Sequence, residues 1–299
     1  MKKNNCIVYS DCDSLALSVI ECVPDTVEGI VQISHGMAEH KERYLPFMQY
    51  LCDHNFACVI HDHRGHGKSV KSSEDLGYFY EDQADYIVED LRVVSSHLRK
   101  EYPDVPFILF GHSMGSLIVR KYLQKYDDSL DRLIVCGSPS QNSACSFAIF
   151  LVKLLEKIYN SHYRSQLIES LSTGPYNRGY IHENEWLSKN PDNVEDYNAD
   201  PLCGFRFTLN GYKNLFTLLK DVYSNRFISK KNLDLPILFI AGKDDPVIVS
   251  DKKFNAAIDF LKKQGYTNVS GKLFDGLRHE ILNEKEHDIV YKYVIDFIK

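Results

Sequence analysis

An apolar run, Pro106-Phe107-Ile108-Leu109-Phe110, breaks at Gly111-His112-Ser113-Met114-Gly115. It then gives way to a helical pattern carrying Leu117, Ile118, Val119, Tyr122 and Leu123. A strand, a sharp turn and a helix in that order restrict the chain to folds in which a helix packs back along the sheet directly after a strand. The serine at the turn adds a chemical constraint. Its hydroxyl projects beyond the sheet edge, and the helix N-terminus presents a backbone N–H that can stabilise an oxyanion. The flanking glycines keep bulk away from neighbouring backbone. The segment therefore predicts a nucleophile at Ser113 and an oxyanion donor at the Met114 amide.

The surrounding pattern supplies the sheet. Strand-like stretches at Ile7 to Tyr9, Leu15 to Cys22, Gly29 to Ser34, Phe56 to His61 and Leu133 to Cys136 alternate with helical spacing at Tyr44 to Cys52 and Gln83 to Arg99. This β-α-β grammar predicts an α/β fold with a mostly parallel sheet and helices on both faces. It stops after Ser138-Pro139-Ser140. The text up to about Leu233 is helical and aromatic, with Phe147 to Tyr159 and Phe207 to Tyr223 as its strongest helices. Sheet grammar returns with a strand at Leu235 to Ala241, a helix at Phe254 to Lys263, a strand at Ser270 to Phe274 and a helix at Glu284 to Ile298. The reading is a core built from residues 1–139 and 234–299 and an inserted helical cap, 140–233, over the C-terminal edge of the sheet, where ligands of open α/β sheets bind.

Composition excludes several classes. The 299 residues carry a net charge of −6, which gives no basic footprint for nucleic acid. The start, Met1-Lys2-Lys3-Asn4-Asn5-Cys6, has no apolar leader core, and no run approaches the ~18 apolar residues of a membrane span. The expected location is cytoplasmic. Eight cysteines without a C-x-x-C pair read as small buried hydrophobes. The run His61-Asp62-His63-Arg64-Gly65-His66-Gly67 lacks the paired spacing of a zinc site and reads as a glycine turn held by buried polar side chains, so neither metal nor cofactor is expected.

A serine hydroxyl needs a base, and the base needs an orienting acid. In a fold with such a turn the partners follow in the order serine, carboxylate, histidine. Among twelve histidines only His279 and His287 follow the returning strand, and His287 lies in the last helix, so His279 is the predicted base. The acid belongs just past a strand on the same edge. Gly242-Lys243-Asp244-Asp245-Pro246 offers two candidates, one to contact His279 and its neighbour to cap the turn; residue chemistry alone leaves the order open. A second oxyanion donor is expected from His35-Gly36-Met37-Ala38-Glu39-His40, at the Met37 amide. Glu39 and Arg43, four apart, read as a local ion pair.

Together these residues resemble the α/β-hydrolase superfamily. The motifs His35-Gly36-Met37-Ala38-Glu39-His40…Arg43-Tyr44, Asp62-His63-Arg64-Gly65-His66-Gly67-Lys68-Ser69, Gly111 to Ser116, Asp244-Asp245-Pro246 and Arg278-His279-Glu280 are similar to its monoacylglycerol lipase and lysophospholipase branch, grouped with the serine aminopeptidase-like hydrolases. The resemblance implies Asp245 rather than Asp244 as the acid. It also implies a cofactor-free serine ester hydrolase acting through an acyl-enzyme on a small acyl ester, such as a monoacylglycerol or lysophospholipid. Contact with lipid aggregates would be transient. An aminopeptidase, a thioesterase or a slow-turnover ligand sensor could use the same constellation. The cap, with Asp200-Pro201-Leu202-Cys203-Gly204-Phe205, departs from the vertebrate lipases of this branch and looks more like bacterial members.

Overall fold

The computed structural model describes residues 2–299; Met1, at the lysine-rich start read above, lies outside the described residues. Eight strands form one sheet in the order β1-β2-β4-β3-β5-β6-β7-β8. They are β1 (Lys2–Tyr9), β2 (Ala16–Val23), β3 (Gly29–Ser34), β4 (Phe56–His61), β5 (Phe107–His112), β6 (Arg132–Cys136), β7 (Ile237–Gly242) and β8 (Val269–Phe274). The β1/β2 and β2/β4 pairs are antiparallel and the others parallel. The α-helices are α1 (Leu45–Asp53), α2 (Tyr86–Glu101), α3 (Met114–Tyr126), α4 (Cys145–Ile158), α5 (Gln166–Ser172), α6 (Pro191–Ala199), α7 (Leu209–Asp221), α8 (Asp251–Lys263) and α9 (His287–Ile298).

The central strands are buried along their whole length because helices cover both faces. Side chains alternate between two cores. Leu109, Leu133, Val135 and Phe239 pack under α2, α3 and α8, while Ile108, Phe110, Ile134 and Ile240 pack under α1 and α9. Several boundaries differ from the sequence reading by one to five residues, two of them for a reason visible in the contacts. Strand β1 begins at Lys2 rather than Ile7, because its exposed first half pairs by backbone with β2, whatever its polarity. Helix α9 begins at His287 rather than Glu284, because the Glu284 carboxylate accepts from the Ser188 hydroxyl and the Lys189 and Asn190 amides and lies outside the helical run.

Between β6 and β7 the chain leaves the sheet and forms α4 to α7. Since β3, β5, β6, β7 and β8 run parallel, the segments after all five emerge at the same edge, beneath these helices. Among the described residues no helix is long and apolar enough to cross a membrane.

Candidate active site

Ser113 sits between β5 and α3 with φ 53° and ψ −117°, a conformation that costs a non-glycine residue on the order of 1–3 kcal/mol. The turn closes because the chain after it presses directly on β3: a Cβ on Gly115 would strike the Ser34 carbonyl. The Ser113 amide donates to the Cys136 carbonyl at 2.9 Å, and the Ser116 hydroxyl donates to the Ser113 carbonyl. These bonds hold the strained residue from both sides.

The loop after β3 runs alongside. A Cβ on Gly36 would lie 3.2 Å from the Ser113 Cβ and 2.6 Å from Glu39 Oε1, so only glycine lets this backbone approach the serine. Among the described residues no acceptor meets the Met37 or the Met114 amide, and both residues line the same cavity as Ser113. The amides expected as oxyanion donors are therefore unsatisfied groups of residues that line the Ser113 cavity.

His279 follows β8 and is 2% exposed. Its Nδ1 lies 2.9 Å from Asp245 Oδ2, and a carboxylate can only accept, so Nδ1 carries the proton and the basic nitrogen of the neutral ring is Nε2. His279 and Ser113 line one cavity of about 700 Å³. In this structure Ser113 Oγ makes no hydrogen bond to the ring; such bonds commonly tighten only when substrate is bound.

The two aspartates divide differently from expectation. Asp245 does both jobs, binding His279 through Oδ2 and capping the following turn by accepting the Val247 N–H on Oδ1 at 2.8 Å. Asp244 caps nothing; half-exposed, it pairs with Lys189 at 2.6 Å. Asp245→Asn should accordingly cut kcat on acyl esters by about 10³- to 10⁴-fold, while Asp244→Asn should stay within about threefold of the parent in steady-state assays. The reverse ranking would misplace the acid by one residue.

Behind the cavity lies a buried polar network that the sequence showed only in part. Glu39 and Arg43 do pair, at 2.8 Å, but Arg43 also clamps Glu280 with two bonds of 2.7 Å. Glu280 further accepts from Asn193 of α6 at 2.7 Å. Burial alone would raise the Glu39 pKa, but the bond from His112 and the Arg43 charge hold it well below the usual carboxylate range. Burial likewise opposes ionisation of Glu280, and Arg43 outweighs it. His112 Nε2 donates to the His279 carbonyl at 3.2 Å, and its Nδ1 faces the Tyr44 hydroxyl at 3.1 Å. Burial disfavours a charged His112, yet Glu39 raises its pKa overall. The residue before the serine thus ties the elbow both to His279 and to the loop holding Met37.

The histidine-rich run forms a tight turn, as expected. Asp62 accepts from the Lys41 and Lys68 amides at 2.9 and 2.8 Å, and Arg64 binds the buried Asp90 through Nε at 2.7 Å. His61, His63 and His66 are fully buried, with ring nitrogens of each lacking a protein partner.

A mostly parallel sheet sandwiched by helices, with a serine on a strained strand-to-helix turn at its C-terminal edge, defines an α/β-hydrolase. The profile of the family described as Serine aminopeptidase, S33 matches residues 25–286, and the chain belongs to that family, a family of serine hydrolases. It is 27% identical over 277 residues to a monoacylglycerol lipase of Mycolicibacterium smegmatis, covering 92% of this chain and 90% of that protein. It is 26% identical over 275 residues to the human monoglyceride lipase, covering 88% and 82%. A thermostable carboxyl esterase from Bacillus coagulans, solved in complex with glycerol, superposes with a TM-score of 0.90 at 27% identity, covering 100% of this chain and 98% of that one. Such relatives support ester hydrolysis as the class of reaction.

Proposed function

We propose that the chain hydrolyses acyl esters of glycerol or a similar small polyol through an acyl-enzyme at Ser113. In this reading His279 Nε2 takes the serine proton as the hydroxyl attacks the ester carbonyl. Asp245 holds the ring in the required tautomer and stabilises its cationic form. The Met37 and Met114 amides bind the oxyanion of the tetrahedral intermediate. Collapse expels the alcohol, which receives the proton from His279, and water then releases the acid by the same steps in reverse order.

The observation that carries this reading is the shared cavity. It joins Ser113 and His279 to an apolar wall of Leu117, Leu151, Ile168, Leu215, Phe216 and Leu219, drawn from α3, α4, α5 and α7. That wall suits an acyl chain. The segment 140–233 then acts as a cap that closes over this chain. The glycerol bound in the Bacillus esterase and the lipase names of the sequence relatives favour a glycerol alcohol.

The purified protein should be offered monoacylglycerols and p-nitrophenyl esters of rising chain length, a lysophospholipid and an aminoacyl amide. The expected result is turnover of the esters, with kcat/KM rising at least tenfold as the chain lengthens from two to eight carbons, since each added methylene buried against the wall contributes up to about 0.8 kcal/mol. Cleavage of the amide in preference to every ester would overturn the proposal in favour of an aminopeptidase.

A further inference from the structure

The catalytic base of the proposed mechanism has a neighbour that the mechanism does not use. The chain contains a single tryptophan, Trp186, and its ring lies 5.1 Å from the His279 ring at an interplanar angle of 39°. Tyr176 backs the indole at 5.0 Å. On the other sides the imidazole meets His112, with ring centroids 4.7 Å apart, and the Gly137 backbone, where an added Cβ would lie 3.1 Å from Cε1.

Trp186 is not held there by its own packing alone. The stretch 185–190 is stitched to the loop that carries the base. Glu280 N–H donates to the Leu187 carbonyl at 2.7 Å, and Arg278 donates to the Glu185 and Ser188 carbonyls at 2.6 and 3.1 Å. Glu284 Oε2 accepts from the Ser188 hydroxyl and from the Lys189 and Asn190 amides, at 2.6, 2.8 and 3.1 Å. A seam this dense places the indole in a set position relative to the imidazole, although the two residues lie far apart in the chain.

We propose that Trp186 is a positioning residue for His279: its π face confines the imidazole between Asp245 and Ser113 and favours the ring in the cationic form it takes while holding the serine proton. The inference rests on the triad reading above. Cation attraction to an indole face is strongest of the aromatic side chains and is enhanced where water is excluded. The other titratable or charged groups around the ring are Asp245 from the end of β7, His112 from the end of β5, Arg278 and Glu280 on its own loop, and Tyr176 from the helical insertion. Glu39 and Tyr44 stand behind His112.

Because Trp186 is the only tryptophan, its emission reports this contact without labelling. The emission intensity of the intact protein should change in His279→Ala, which removes the ring facing the indole, and stay unchanged in Ser113→Ala. Trp186→Leu should lower kcat by about 5- to 30-fold with KM within about twofold, and Trp186→Phe should recover most of the loss. A raised KM at unchanged kcat would make Trp186 a substrate wall and overturn the proposal. So would an emission indifferent to the loss of the His279 ring, a reading that needs no variant at position 186. Ester turnover retained in Ser113→Ala would instead sink the triad reading and leave the ring contact standing.

Discussion

Ser113→Ala should lower kcat/KM on acyl esters by on the order of 10⁵- to 10⁶-fold while leaving the protein folded. The size follows from what is lost. On the proposed mechanism no acyl-enzyme forms without the hydroxyl, and His279 and Asp245 have nothing to activate, so the remaining rate would come from the proposed oxyanion amides and substrate binding alone. The fold should survive, because the Ser113 side chain makes no hydrogen bond to the protein; the turn is held by the Ser113 amide and carbonyl, which alanine retains. A fluorophosphonate should label the parent once per chain, on the peptide containing Ser113, and should leave the alanine variant unlabelled by mass spectrometry. A variant that kept its ester turnover would place the nucleophile elsewhere.

The second large effect concerns acid. Burial holds His35 down to about 4 and His61 and His66 down to about 3, and holds His63 well below its usual value. In the unfolded chain all four return to ~6.5. Between that value and ~4 the unfolded state binds up to four protons that the folded state refuses, so stability falls as the pH falls. Each such histidine costs at most about 1.4 kcal/mol per pH unit, which brings the four together to roughly 5 kcal/mol per unit. His40 and His112 do not offset this. Their folded values are raised, His40 by Glu42 and Asp200 against the opposing effect of burial, so in this window they are protonated in both states. Against a typical stability of ~5–15 kcal/mol, cooperative unfolding is expected between about pH 6 and pH 4.5. Urea midpoints at half-unit pH intervals would measure the slope; a stability flat from pH 7 to pH 5 would contradict buried, neutral rings.

Much of this architecture was legible because it is local. The elbow is five consecutive residues, and β3 to β7 announce themselves as apolar runs of the right length between helical stretches. The histidine that pairs with Asp245 was reachable by chain order, which left only His279 and His287 after the returning strand. The dual duty of Asp245 was missed because a carboxylate has two oxygens and sequence patterns count residues. Glu280 and Asn193 were missed for a different reason. Arg43 meets them across 237 and 150 residues of chain, and no local rule connects an ion pair on one loop to a helix of the insertion. Glu280 beside His279 was the one available hint. Trp186 carried no signal at all, since a lone aromatic in a polar stretch says nothing about which ring it will face.

The stitching of residues 185–190 to 278–284 has a consequence for modular engineering. An insertion that merely roofed the sheet could be exchanged between relatives like a fitting, with boundaries cut at its two junctions. Here such an exchange would transplant half of a clasp and leave the Arg278, Glu280 and Glu284 half waiting for partners. A chimera that alters substrate range while preserving rate must carry both halves as one unit, so heredity in this lineage is expected to treat two distant stretches of text as a single word.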